Sequence, residues 1–322
     1  MIYLETNSTD ACYNFAAEYL FAAEQDVGDE LFLFWQTEPT LMIGRYQNAL
    51  EEIDLPYAQK RGIRVVRRLS GGGTIYTDLG GWQYSFIAPG EGEIDFRRFL
   101  APVLRALREL GVPAEFNGRN DLTVAGRKFS GTAQYRLGGK VVHHGSLLFD
   151  TDLAEMERAT TVRQEKIASK GIRSVRDRVT NLREHLPSSV TCAEFKERMV
   201  SAILGMGERR TLNAEQIRRV SQIAQEKFAD WQAVYGQSPR FSITRSRRFV
   251  GGRVEFLLDV EKGVIRAAEL RGDFFGAEAA QQIPQRLIGV RYERNAVLQA
   301  LEGFEGAIYQ VRPEEIAQVV VD

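Results

Sequence analysis

The sequence predicts an α/β protein in two parts, a large domain over residues 1–240 and a small α+β domain over 241–322. Three observations carry this expectation. Strand-like and helix-like periodicities alternate along the first part of the chain. A polar stretch, YGQSP from Tyr235 to Pro239, then interrupts the pattern as a linker would. Beyond it, strand-like segments precede helix-like ones, the order of an α+β unit. With 322 residues and 36.4 kDa, the chain is long enough for one large core and a smaller one.

Taken in order, Asp10 is placed to cap a helix from Ala11 to about Glu24, with Phe15, Tyr19 and Ala22 as an apolar stripe beside Ala16 and Ala23. Leu31 to Trp35 and Thr40 to Ile43 read as strands on either side of a Glu38-Pro39 turn. The polar cluster from Gly44 to Asn48 that follows is a loop or the lip of a site. Ile63 to Arg68 alternates apolar and basic residues as a strand with one buried face does, and Thr74 to Tyr76 restores an extended pattern. Trp82 to Ile87 is a further strand. From Phe96 to Leu110, one helical face carries Phe99, Leu100, Val103, Leu104, Leu107 and Leu110, and Gly111 and Pro113 end the helix. Thr191 with Glu194, and Asn213 with Gln216, form capping boxes for helices through Ile203 and to near Phe228. In the last part, strands over Phe249–Leu258 and Val264–Leu270 precede helices over Gln285–Gly289, Arg294–Leu301 and Pro313–Val320.

Composition narrows the partners. Lys plus Arg total 42 against 43 Asp plus Glu, a net charge of -1, which gives no general reason to expect nucleic acid or anionic lipid. The N-terminus MIYLETNSTDACYNF lacks the basic start and apolar core of a signal peptide, and no apolar run approaches the ~20 residues of a membrane span, so a cytoplasmic address is expected. Cys12 and Cys192 are too far apart for a disulfide framework or zinc site, and the three histidines show no HExxH spacing.

The stretch RRLSGGGTIYTD, Arg67 to Asp78, holds the densest chemical signal. Gly71, Gly72 and Gly73 leave no Cβ between the backbone and a ligand, so amide groups can approach an anion closely. The order strand, glycine turn, strand matches neither GxxxxGK[ST] nor GxGxxG, both of which lead into a helix, and a plain hairpin turn would also use three glycines. Between Arg158 and Arg183, eight basic residues face two acidic ones. Such a run is a solvated basic face or a segment that closes over an anion.

Taken together, RRLSGGGTIYTD, NGRNDLTV, GRKFSGTAQYR, HHGSLLFD and KGIRSVRDRVTNL stand in the order found in the lipoate-protein ligase A family, which the chain resembles over almost its whole length; EPTLMIGRYQN, DVEKG and RGDFF add to the likeness. The resemblance implies a large mixed-sheet domain shared with biotin ligases, a small C-terminal domain that moves between half-reactions, and a two-step ligase. ATP and lipoate would give lipoyl-AMP and pyrophosphate, and the acyl group would pass to a lysine on lipoyl domains of 2-oxoacid dehydrogenase complexes or on the glycine cleavage H protein. A monomer is expected.

By the same resemblance Lys128 is the motif lysine that contacts acyl carbonyl and α-phosphate. Arg45, Arg68, Gly73, Thr74, Ile75, Tyr76, Asp78 and Asp121, with Lys170, Gly171 and Ser174 of the loop Lys166 to Asn181, would bind ATP or the adenylate. Ser70, Gly71, Gly72, Thr77, Ser130, Gly131 and His144, again with Lys128, would shape the lipoate site. Arg68 reaches an anionic oxygen or stabilises the hairpin through a salt bridge, Asp78 orders its loop, and Asp121 is the expected magnesium ligand, since oxygen donors suit that ion. Some relatives carry histidine where this chain has Thr77. Physically, lipoate needs an apolar slot with a cation at its mouth; burying about four methylenes at ~0.8 kcal/mol each contributes ~3 kcal/mol. A transferase on the same scaffold would need a cysteine nucleophile, and neither Cys12 nor Cys192 falls in a motif. A transferase that uses preformed lipoyl-AMP, and a non-catalytic carrier, are the other readings; biotin ligation lacks its GRGRxGRxW signature.

Overall fold

Strand LFLFW, Leu31–Trp35, is buried along its whole length because its alternating side chains serve two separate cores. Leu31, Leu33 and Trp35 face one, and Phe32 and Phe34 the other. This double coverage defines the large part of the protein. The computed structural model describes residues 1–47, 52–90, 95–118, 120–160, 178–230, 234, 243–261 and 263–321. The predicted linker, Asn48, and Lys170, Gly171 and Ser174 of the basic segment lie outside them.

The first part contributes strands β1 (Ile2–Glu5), β2 (Leu31–Trp35), β3 (Thr40–Ile43), β4 (Arg64–Arg67), β5 (Ile75–Thr77), β6 (Gly81–Pro89), β7 (Glu115–Phe116), β8 (Asp121–Val124), β9 (Arg127–Leu137), β10 (Lys140–Leu148) and β11 (Glu208–Thr211). An eight-stranded sheet runs in the order β11-β1-β2-β6-β10-β9-β8-β7, and β4-β3-β5 form a separate three-stranded sheet. The large sheet is mixed: β11 and β2 lie parallel to β1, and β2, β6, β10, β9 and β8 pair antiparallel in succession. Helix α1 (Ala11–Tyr19) packs on one face, with the short α2 (Leu55–Arg61) beside the three-stranded sheet. On the other face lie α3 (Phe96–Glu109) and, beyond α4 (Leu153–Thr160), α5 (Cys192–Leu204), while α6 (Ala214–Ile223) returns to the side of α1. The predicted caps are present: Asp10 accepts from the Cys12 and Tyr13 amides, and the Thr191/Glu194 and Asn213/Gln216 boxes are both closed.

The C-terminal strands β12 (Ile243–Phe249), β13 (Gly252–Glu261) and β14 (Val264–Gly272) form an antiparallel sheet with its own core, covered by α7 (Ile283–Leu287), α8 (Arg294–Ala300) and α9 (Pro313–Val321). It meets the larger part at several points, with Phe275 edge-on against Phe96 and Arg248 in a cavity wall shared with the large sheet. Phe274 stacks on Tyr46 at 4.3 Å and its carbonyl accepts the Gly72 amide at 2.9 Å.

Besides β1, α2 and α4, which the sequence reading did not name, three elements depart from it. The expected strand Phe249–Leu258 straddles a reversal at Val250 and Gly251, so it is two strands, and β12 had no apolar alternation to announce it. The first helix continues after Tyr19 as a π-helical turn, Leu20–Glu24, whose wider winding buries Leu20 and Phe21 and leaves Ala23 exposed. Strand β11, ERRT, is wholly exposed and is held by parallel backbone pairing to β1.

Candidate active site

Two cavities meet at Lys128. One, of about 130 Å³, is a slot with apolar walls from Phe15, Trp35, Met42 and Phe275, and His144 and the Gly72–Gly73 backbone also line it. The other, of about 540 Å³, is larger and more polar than the slot, lined among others by Tyr76, Ser130, Met156, Arg178 and Arg248. Thr74, Ile75, Lys128, Gly131 and Ser146 belong to both. The glycine turn beside the slot is locked from two sides. Gly72 holds φ at +93°, and a Cβ on Gly71 would lie 2.0 Å from the Phe274 carbonyl oxygen, so neither position accepts another residue without strain.

Beneath the turn, Arg68 is 5% exposed. Its guanidinium donates to the carbonyls of Met42 (2.8 Å), Gly71 (2.9 Å) and Gly73 (2.7 Å) and to the Ser70 hydroxyl (3.1 Å). Burial, with Arg67 a smaller contribution, lowers its pKa to about 9. Arg68 shapes the glycine turn by binding carbonyls rather than through an ion pair among the described residues, and it also lines the slot. Arg67 does the same for the preceding loop, donating to the carbonyls of Gly44, Arg45 and Gln47.

Ser70 continues the network. Its Oγ lies 2.6 Å from His144 Nε2, and His144 Nδ1 lies 3.1 Å from Glu18 Oε2. With Nδ1–H donated to the carboxylate, Nε2 accepts from the Ser70 hydroxyl. Glu18 is fully buried and also accepts from Ser85, whose hydroxyl accepts from Trp35 Nε1 at 3.3 Å. A serine, a histidine and a carboxylate in sequence resemble a nucleophilic triad, yet the Ser70 oxygen is sealed under Arg68 and lines neither cavity. The array orients His144 and Trp35 in the slot wall. It was missed in the sequence, where the signal was a carboxylate, Glu18, three residues after Phe15 on the apolar face of α1.

Lys128 stands on β9 with Nζ 2.7 Å from Asp121 Oδ1 on β8. A Cβ on Gly131 would come within 3.1 Å of that ammonium, so glycine leaves it room. The lysine carbonyl accepts the Thr180 amide at 2.9 Å, which ties the far end of the basic segment beside it. Asn120 holds the NGRND loop to β9 through Thr132, donating to its carbonyl at 3.0 Å.

Of the remaining expected residues, Thr74, Ile75 and Tyr76 line the wide cavity, Gly73 lines the slot, and Ser130 is buried in the wall. Thr77 is buried one layer below, accepting from Gln83, which does reach the slot. Asp78 is not brought to either cavity. Its carboxylate accepts from the amides of Gly80 (3.0 Å) and Asp152 (2.9 Å), and burial raises its pKa. Arg45 ties its amide to the Ser70 carbonyl at 2.8 Å, with its guanidinium over the Tyr46 ring and outside the lining of both cavities. Cys12 and Cys192 lie away from both, and burial pushes both thiols up, Cys12 to about 11, so neither is a ready thiolate. Trp35, Met42, Gln83, Asn120, Phe275 and Arg248 went unread in the sequence because their motifs, where they had any, signalled only strands and loops.

A slot for an apolar chain that opens at a lysine beside a polar cavity can bring a carboxylate and a phosphate together. Residues 10–204 match the lipoyl protein ligase A/B catalytic domain, and residues 238–320 match the bacterial lipoate protein ligase C-terminus. The lipoate-protein ligase LplJ of Bacillus subtilis is 38% identical over 311 residues, which cover 94% of each chain. The chain belongs to the lipoate-protein ligase family. Among solved structures, Plasmodium falciparum LipL1 in complex with lipoate has the same fold, with a TM-score of 0.79 at 19% identity over 94% of each chain. The bipartite lipoate protein ligase of Thermoplasma acidophilum, solved in a study with its E2 lipoyl domain, aligns with a TM-score of 0.65 at 25% identity, covering 75% of this chain and 98% of that one.

Proposed function

We propose that this chain joins lipoate to protein lysines in two ATP-dependent steps, and that the single observation carrying this is the shared wall of slot and cavity at Lys128. A lipoate carboxylate oxygen attacks the α-phosphorus of ATP, the bond to the bridging oxygen breaks, and pyrophosphate leaves. The acceptor amine nitrogen then attacks the acyl carbon, the acyl–oxygen bond breaks, AMP departs and the amine loses a proton. Lys128 serves both steps, first offsetting charge on phosphorus and then polarising the acyl carbonyl, through charged hydrogen bonds of ~1.5 to 3 kcal/mol each. The Gly72–Gly73 backbone and His144 bound the acyl chain, while Thr74, Ile75 and Tyr76 line the nucleotide side. Magnesium arrives with ATP; Asp121, a carboxylate in the wall of the wide cavity, would hold it, with water and phosphate completing the shell.

The acceptor is a lipoyl domain. Its lysine, with a pKa of ~10.4, is neutral in only about one molecule per thousand near neutral pH, and the Lys128 ammonium beside it would lower that pKa. The basic loop containing Lys170, Gly171 and Ser174 is proposed to cover the adenylate and keep water from the anhydride. The two-part division is proposed to fall near residue 240, with the C-terminal part moving between steps.

Intact-mass measurement of a lipoyl domain incubated with the protein, ATP and either lipoate or octanoate tests this. The reading requires acylation that needs both ATP and free acid. Acylation from lipoyl-AMP alone, with no ATP-dependent pyrophosphate release, would replace it with a transferase.

A further inference from the structure

Arg248 lies on β12 of the C-terminal sheet, yet its side chain lines the wide cavity opposite residues of the large sheet. It does not line the acyl slot, whereas Lys128 lines both. The order is therefore slot, Lys128, then a cavity that Arg248 helps to wall. Its ion pair is with Asp273, at 3.5 Å, and the Arg248 side chain is 67% exposed. A long, solvated pair of this kind contributes little, so the guanidinium can exchange it for a better anion. Asp273 is retained at its turn without Arg248, because it accepts the Arg253 amide.

Displacement at the α-phosphorus proceeds with attacking and leaving oxygens roughly in line. The carboxylate approaches from the slot, so the β- and γ-phosphates leave away from it, on the cavity side. Lys128 is already within 2.7 Å of Asp121 and sits at the junction, where the α-phosphate belongs. Neutralising the departing polyphosphate calls for a second cation further out. A planar guanidinium fork matches two phosphate oxygens at once.

We propose that Arg248 binds the β- and γ-phosphates of ATP and the departing pyrophosphate, so that the C-terminal sheet contributes a substrate-contacting residue to adenylation and none to acyl transfer. This rests on the ligase reading above.

The full-length protein is assayed in two separated half-reactions, lipoate-dependent pyrophosphate release from ATP and transfer from preformed lipoyl-AMP to a lipoyl domain. In R248Q, pyrophosphate release falls by about tenfold or more and the KM for ATP rises, with R248K between the two, while transfer stays within about twofold of wild type. Inhibition by added inorganic pyrophosphate weakens in parallel. Unchanged release in R248Q, or equal losses in both half-reactions, would overturn the assignment. Absence of pyrophosphate release from the wild-type protein while transfer proceeds would instead overturn the ligase reading, and this inference with it.

Discussion

The slot and the cavity that share Lys128 are built by opposite means. On the slot side, polar groups are buried and answer one another: Arg68 binds carbonyls, and Ser70, His144, Glu18, Ser85 and Trp35 form one connected network. On the cavity side the charged groups are solvated and come from distant segments, Lys128 from β9, Arg178 from the end of the basic segment and Arg248 from the C-terminal sheet. The difference follows from the ligands each can take. An apolar chain is held by shape, which a packed core supplies in advance; a polyphosphate is held by cations, and a group of cations cannot be buried beforehand without a large desolvation cost.

Mutations on the two sides should therefore differ in kind. The largest effect is expected at the junction: Lys128→Ala lowers lipoate-dependent ATP–pyrophosphate exchange by at least ~100-fold while the melting temperature stays unchanged, since the side chain is 40% exposed. Retained exchange would mean that slot and cavity are not coupled through this residue. On the slot side the loss appears in stability. Glu18→Leu strips acceptors from His144 and Ser85, and urea unfolding should show a loss of ~2–5 kcal/mol together with weaker lipoate binding; an unchanged midpoint would show that the buried network is dispensable.

Behind the slot, His143 stacks on Phe99 at 5.1 Å, and neither ring nitrogen has a hydrogen-bond partner among the described residues. Burial, reinforced slightly by His144, lowers its pKa from 6.5 to about 3. Between those values the unfolded chain binds a proton that the folded one does not, so stability falls as pH drops below 6.5, by up to ~1.4 kcal/mol per pH unit from this group, and levels near 3. His143→Phe should flatten that slope in urea titrations between pH 4 and pH 7 (a working range of about three units); an unaltered slope would exclude this histidine as its origin. The smallest effect is expected for an exposed pair near the cavity: Arg127→Ala removes the 3.1 Å contact with Glu184 and should change stability by no more than ~1 kcal/mol, checked by the same denaturation curves.

How much of this could be read in the sequence varied with the kind of signal. Strands β2 and β3 were legible to the residue, because turn residues bracket continuous apolar runs. The capping boxes at Thr191 and Asn213 were legible because both partners sit three residues apart. Strands β1 and β11 were not, since parallel pairing between segments two hundred residues apart leaves no local pattern. Among site residues, Lys128, Thr74, Ile75 and Gly131 were found through their motifs and do meet at one wall. Arg68 and Asp78 share the same motif, yet Arg68 binds carbonyls while lining the slot, and Asp78 accepts from amides away from both cavities. Motif membership does not tell which way a side chain points.

By itself the sequence determined the family, the strand–glycine–strand turn and the lysine beside it, because each is written in contiguous residues whose chemistry is local. Only the tertiary structure decided which polar groups are used up inside and which are left for a ligand. That choice depends on what lies across the turn: Glu18 from α1, the Phe274 carbonyl from the C-terminal part, and Arg248 at the cavity wall, each brought there by packing between segments far apart in the chain.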